Sequence, residues 1–139
     1  MDDPVKFLKS LFEAAVKAAL PQECLPAHLP KPSEGRSIVI GAGKASAAMA
    51  EVVERHWTKP MEGLVITRYG FHRPCNYIEI VQASHPIPDE AGLTAAGRML
   101  GYLEGLNEDD LVLCLISGGG SALLTLPADN IAFKDKQMV

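Results

Sequence analysis

At 139 residues, 47% hydrophobic and 22% charged, the chain has the size and balance of one globular domain able to bury a core. Its net charge of −4 argues against a general nucleic-acid binder, whose electrostatic footprint would be basic. No apolar run approaches the roughly 20 residues that span a bilayer, so no membrane partner is expected.

Residues 4–20 read as an amphipathic helix. Leu8, Leu11, Phe12, Ala15, Val16 and Ala19 recur at i, i+3, i+4 spacing, with charges on the other face. Asp3 suits the cap, Pro4 the first helical position, and Pro21 the stop. Asp2 and Asp3 stand where a signal peptide would be basic, and lysines and a glutamate interrupt the apolar face, so a cytoplasmic location is expected. Residues 21–36 hold four prolines without periodicity and read as a connecting loop.

Ile38–Gly41 predicts a first buried strand, a glycine turn through Gly43, and a helix from about Ala45 to His56 with Lys44 in its first turn. Ala47, Ala48, Val52 and Val53 give that helix a small-residue face. After a turn at 58–63, Leu64–Thr67 predicts a second strand, apolar throughout as a doubly buried parallel strand should be. Arg68, His72 and Arg73 make a local basic cluster beyond it. Ile78–Gln82 predicts a third strand, and His85 follows in a loop stiffened by Pro86 and Pro88. Asp89 caps a helix over 90–103 whose inner face reads as Leu93, Ala96, Leu100 and Leu103. Gly92, Gly97 and Gly101 inside it suggest close backbone packing or a misplaced boundary. Residues 111–116 predict a fourth strand with Cys114 as a small core residue, then the loop Ser117–Ser121 entering a helix at Ala122. Phe133–Val139 reads as the opening of a further helix, which suggests a longer natural chain. Cys24, Cys75 and Cys114 show neither disulfide nor metal-ligand spacing, and no metal ligands are expected.

Strands alternating with helices imply right-handed βαβ units and a Rossmann-like parallel α/β sheet with flanking helices. Two glycine loops then open at the carboxyl edge of the sheet, where such folds bind ligands. A helix N-terminus favours an anion, and glycine lets backbone approach phosphate. Gly41, Gly43 and Lys44 form one candidate cradle. Ser117, Gly118, Gly119, Gly120 and Ser121 form the other. The first loop departs from the dinucleotide fingerprint at Ser46 and from the P-loop at Ile38 and Ala45, so a ligand site and a tight packing turn both remain open there. Arg68 and His85 are candidates for substrate contact. A solvated loop or a backbone-bonded histidine serves as the plainer alternative. Tyr69 and Phe71 read as packing residues.

Gly41–Ala45, Val65–Gly70, His85–Asp89 and Ser117–Leu124, closing on Asp135-Lys136-Gln137, occur in this order. Together they resemble class II glycerate kinases, the glycerate 2-kinases with a C-terminal MOFRL domain; many members carry the name hydroxypyruvate reductase. The resemblance runs from residue 5 to the end. It implies ATP- and Mg²⁺-dependent phosphorylation of D-glycerate to 2-phosphoglycerate, with Lys44 catalytic, Ser117–Ser121 the nucleotide or phosphate loop, and Arg68 at a basic position. It also implies that residues 1–139 are the N-terminal part of the kinase α/β domain, with the MOFRL domain and downstream site residues absent and the fragment alone inactive. Self-association is left open. The alternatives are an NAD(P)-dependent hydroxypyruvate reductase and a non-catalytic nucleotide-binding module.

Overall fold

Ser37–Gly43 forms a strand, β1, buried along nearly its whole length, and the rest of the sheet is laid out on either side of it. The computed structural model describes residues 3–120 and 122–138. In chain order it runs α1 (Pro4–Ala19), α2 (Pro21–Cys24), a 3-10 turn (Pro26–His28), β1, α3 (Ser46–His56), β2 (Glu62–Arg68), β3 (Ile78–Ala83), α4 (Glu90–Tyr102), β4 (Leu111–Ser117) and α5 (Phe133–Met138).

The strand order is β3-β2-β1-β4 and every pairing is parallel. The chain therefore moves outward from β1 through β2 to β3, then returns to the other side of β1. That reversal between β1 and β4 is the topological switch point, where the carboxyl ends of neighbouring strands diverge into a crevice. The expected parallel α/β sheet is what forms.

Two cores sandwich the sheet. Val39, Val65 and Leu115 face Ala50 and Val53 of α3. Ala42, Leu64 and Ile66 face Ala95, Ala96 and Met99 of α4 on the other side. The unbroken apolar run of β2 follows, because both alternating sets of side chains are buried. α1 begins as expected, with Asp3 accepting the Val5 N–H at 3.0 Å and Pro4 at the first position.

Several expectations need correction. The 21–36 segment is not only loop, since α2 and the 3-10 turn occupy part of it, each starting at a proline whose missing N–H costs nothing there. The inner face of α4 is Gly92, Ala95, Ala96 and Met99, while Leu100 is 54% exposed. The small side of the helix wins because it lets α4 lie close: a Cβ on Gly92 would meet the Leu123 carbonyl at 3.2 Å. Gly97 and Gly101 have no atom within 4 Å of that position, so close packing explains only one of the three glycines. Cys114 is exposed rather than core, because β4 lies at the sheet edge and its alternate side chains turn outward. The apolar face of α1 is also exposed, Phe12 by 70%; none of its residues is buried.

Candidate functional site

β1 extends two residues further than expected, and this changes the first loop. Gly41 and Gly43 lie inside the strand, in register with Leu115 and Ser117 of β4. A Cβ on Gly41 would come within 2.3 Å of the Leu115 carbonyl oxygen, and one on Gly43 within 2.6 Å of the Ser117 carbonyl oxygen. Gly43 also has φ +139°, which L residues rarely adopt. Both glycines therefore allow β1 and β4 to approach closely.

Lys44 and Ala45 make the turn, and α3 starts at Ser46, so Lys44 precedes the helix instead of lying in its first turn. Its side chain is exposed and forms no ion pair among the described residues. The α3 N-terminus beside it has no side-chain cap of its own. Such an end presents unpaired N–H groups and the positive pole of the helix.

The second loop leaves β4 directly alongside. Gly118 and Gly119 take φ +74° and +123° and are exposed, with no protein atom within 4 Å of where a Cβ would stand. Glycine is required here by backbone conformation, and the backbone is open to approach. Gly120 turns the chain back over β1, its Cβ position 3.2 Å from the Ala42 Cβ. Ser121 lies outside the described residues. The expected helix at Ala122 does not form: residues 122–124 make a turn, Leu123 is drawn into the core on the α4 side, and Pro127 disfavours helix just before it. The second cradle therefore offers backbone N–H groups without a helix behind them.

Three side-chain bonds tie the Lys44 turn and the start of α3 to the neighbouring strands. Ser117 Oγ accepts the Ala45 N–H at 3.0 Å, and the fully buried Ser46 hydroxyl donates to the Leu115 carbonyl at 2.9 Å. Thr67 Oγ1 reaches the Lys44 carbonyl at 3.5 Å, long for a hydroxyl bond. Sequence reading passed over Thr67, and nothing in its pattern distinguishes it from an ordinary strand residue.

The remaining candidates occupy the same rim, one and two strands away. Arg68 ends β2 with its guanidinium 3.7 Å from the Phe71 ring centroid, and its buried Nε has no hydrogen-bond partner. His72 and Arg73 are exposed on the following loop, and His85 is exposed beyond β3. Phe71 and Tyr69 are exposed rather than packed in the core. Tyr69 donates to Asp89 at 2.8 Å, while Gln82 accepts the Gly70 N–H at 2.7 Å, so the Arg68 loop is tied to the loop carrying His85. Burial raises the Asp89 carboxyl, but the Gly92 N–H and the Tyr69 hydroxyl outweigh it and hold the group below the usual carboxylate range.

A cleft of about 680 Å³ lies on the opposite rim, among Arg36, Lys59, Met61 and Asp110. Its cations are already engaged, Arg36 with Glu62 and Lys59 with Glu34, each at 3.0 Å. The carboxyl rim, by contrast, combines an unpaired lysine with open glycine backbone. That donor set suits phosphate oxygens. Among the described residues no three His, Cys, Asp or Glu side chains converge on a metal site.

Comparison with known proteins gives the chain its relatives. A protein of Agrobacterium vitis provisionally named a hydroxypyruvate reductase is 47% identical over 133 residues, 95% of this chain and 30% of the relative. The D-glycerate 2-kinase of Thermotoga maritima is 36% identical over 142 residues, 99% of this chain and 34% of that protein. Among solved structures, a Pyrococcus horikoshii protein superimposes with TM-score 0.82 at 33% identity, over 97% of this chain and 34% of its own. The Thermotoga maritima glycerate kinase superimposes with TM-score 0.81 at 32% identity, over 94% and 32%. The chain thus spans about a third of the length of the curated relatives it matches. The resemblance carried by the four motifs agrees with these relatives. A family model described as a domain of unknown function, DUF4147, matches residues 7–139, and the chain belongs to that family.

Proposed function

We propose that this chain forms the phosphate-holding part of a glycerate kinase that transfers a phosphoryl group from ATP to D-glycerate, giving 2-phosphoglycerate. One observation carries the reading: the Lys44 turn and the Gly118–Gly120 backbone open side by side at the switch point, tied by the 3.0 Å bond from Ala45 to Ser117. The names of the Thermotoga and Pyrococcus relatives, D-glycerate 2-kinase and glycerate 2-kinase, support the choice of substrate.

Phosphoryl transfer asks a protein mainly for positioning and charge stabilisation. In this reading the backbone N–H groups of Gly118–Gly120 hold phosphate oxygens, and the Lys44 ammonium offsets negative charge developing on the group being transferred. Arg68, steadied by Phe71, and His85 face the acceptor carboxylate or hydroxyls from the neighbouring strands. Mg²⁺ usually takes one or two carboxylates and completes its shell with phosphate and water oxygens. Bound with the nucleotide, the ion would neutralise phosphate charge.

Titration calorimetry with ATP·Mg²⁺ tests the reading. Wild type binds, and Lys44→Met weakens binding about tenfold or more, as expected for loss of a charge-assisted contact. Equal affinities would remove Lys44 from the site. A coupled ADP assay with D-glycerate then reports turnover. The strand order and the name of the Agrobacterium relative favour a second reading, reduction of hydroxypyruvate with NAD(P)H. Substrate-dependent loss of NADPH absorbance, without ADP release, would select it.

A further inference from the structure

The Ser117 hydroxyl stands in the sequence as a phosphate ligand, but in the fold its oxygen is directed at the protein. It accepts the Ala45 N–H across 72 residues of chain, at 3.0 Å and partly buried. Ala45 is the cap residue of α3 and has no side-chain oxygen with which to steady the helix entry. Ser117 instead holds the amide of that cap residue from another strand and leaves the N–H groups of the first helical turn open. Its own backbone is paired in register with Gly43, the residue just before Lys44. Lys44 is thus bracketed by one residue whose backbone approaches Ser117 and another whose amide is bonded to the Ser117 side chain.

Gly118 begins immediately after Ser117, so one residue fixes where both cradles start. The Ser46–Leu115 bond secures α3 against β4 lower down but does not reach the turn. The long Thr67 contact holds the Lys44 carbonyl weakly.

We propose that Ser117 is a positioning residue that registers the Lys44 turn against the triple-glycine loop. The proposal rests on reading this rim as a polyphosphate cradle and names what keeps its two halves in step.

The test uses the 139-residue chain, ¹⁵N-labelled, as wild type, Ser117→Ala and Ser117→Thr. Amide exchange at Ala45, affinity for ATP·Mg²⁺ and thermal midpoint are read on each. In Ser117→Ala, exchange at Ala45 speeds up about fivefold to tenfold, in line with loss of one hydrogen bond. Nucleotide affinity falls by a similar factor while the midpoint moves only a few degrees, and Ser117→Thr restores both readouts. Unchanged exchange at Ala45 overturns the proposal. So does a loss of affinity without a change at Ala45, which would make the hydroxyl a direct ligand, or an unaltered affinity in Ser117→Ala. If wild type binds no ATP·Mg²⁺, the cradle reading fails by itself. The exchange comparison at Ala45 then still decides, independently, whether Ser117 holds the turn.

Discussion

Replacing Gly43 by alanine strikes the fold and the site at one atom. The new Cβ would sit 2.6 Å from the Ser117 carbonyl oxygen and 2.8 Å from the Ser117 Cβ, and neither belongs to a flexible side-chain end that could swing away. At φ +139° the alanine also carries backbone strain, costing about 1–3 kcal/mol. Forcing β4 outward adds an overpacking cost of about 1–3 kcal/mol. Together these give a loss of about 2–6 kcal/mol from a total stability on the order of 5–15 kcal/mol. At roughly 3 °C per kcal/mol for a domain of this size, the midpoint falls by roughly 6–18 °C. Trp57, the single tryptophan, packs against the α3-side core and reports unfolding by fluorescence in a urea titration. Gly97→Ala in α4 is the matched control, since it meets no atom within 4 Å and has helical backbone. It should gain about 0.5–1 kcal/mol. If Gly43→Ala stays within about 0.5 kcal/mol of wild type, close strand approach is not what the glycine serves, and the account of β1 and β4 is wrong.

Other expectations concern the core, the acid limb and the thiols. Leu64 is fully buried against α4, so Leu64→Ala should cost about 2–5 kcal/mol in the same titration. Asp89 has a folded pKa below its unfolded value, so its stabilisation is complete above about pH 4 and is lost as pH falls through the folded value. Asp89→Asn keeps a capping side chain and removes the titration; thermal midpoints taken from neutral to strongly acidic pH should then decline less steeply below about pH 4. Burial pushes the Cys75 thiol up to about 12, and the Glu54 carboxylate adds to the effect, whereas Cys24 and Cys114 are exposed. A disulfide-exchange reagent at mildly alkaline pH should therefore titrate two thiols quickly and the third only on unfolding.

The alternation of apolar runs with helical periodicity was enough to read the sheet, because strands buried on both faces leave an unmistakable pattern in β1 and β2. Four strands and the helices between them lie within a residue or two of where the periodicity puts them. Strand order was not legible, since no local pattern records that β4 returns to pair with β1. The glycines mislead for a related reason. Gly41 and Gly43 look like a loop, but their missing side chains serve β4, which lies some 70 residues away. Leu100 and Cys114 misdirect by size and apolarity: the sheet accepts the small face of α4, and an edge strand turns half its side chains outward. The Ser117–Ala45 bond is a tertiary fact, invisible until β1 and β4 are adjacent.

Placing the switch crevice beside β4 has a dynamic corollary. Among the described residues this strand is one of the two borders of the sheet, paired to β1 on one side, and borders are the first part of a sheet to breathe. The Lys44 turn leans on that border through Ser117, and the start of α3 leans on it through Ser46. Opening of β4 therefore releases the cradle before the interior strands loosen, and whatever clamps the two loops together also clasps the outermost strand to the sheet. Ligand protection of β4 amides, greater than that of β2, is how such a mutual grip registers in exchange measurements.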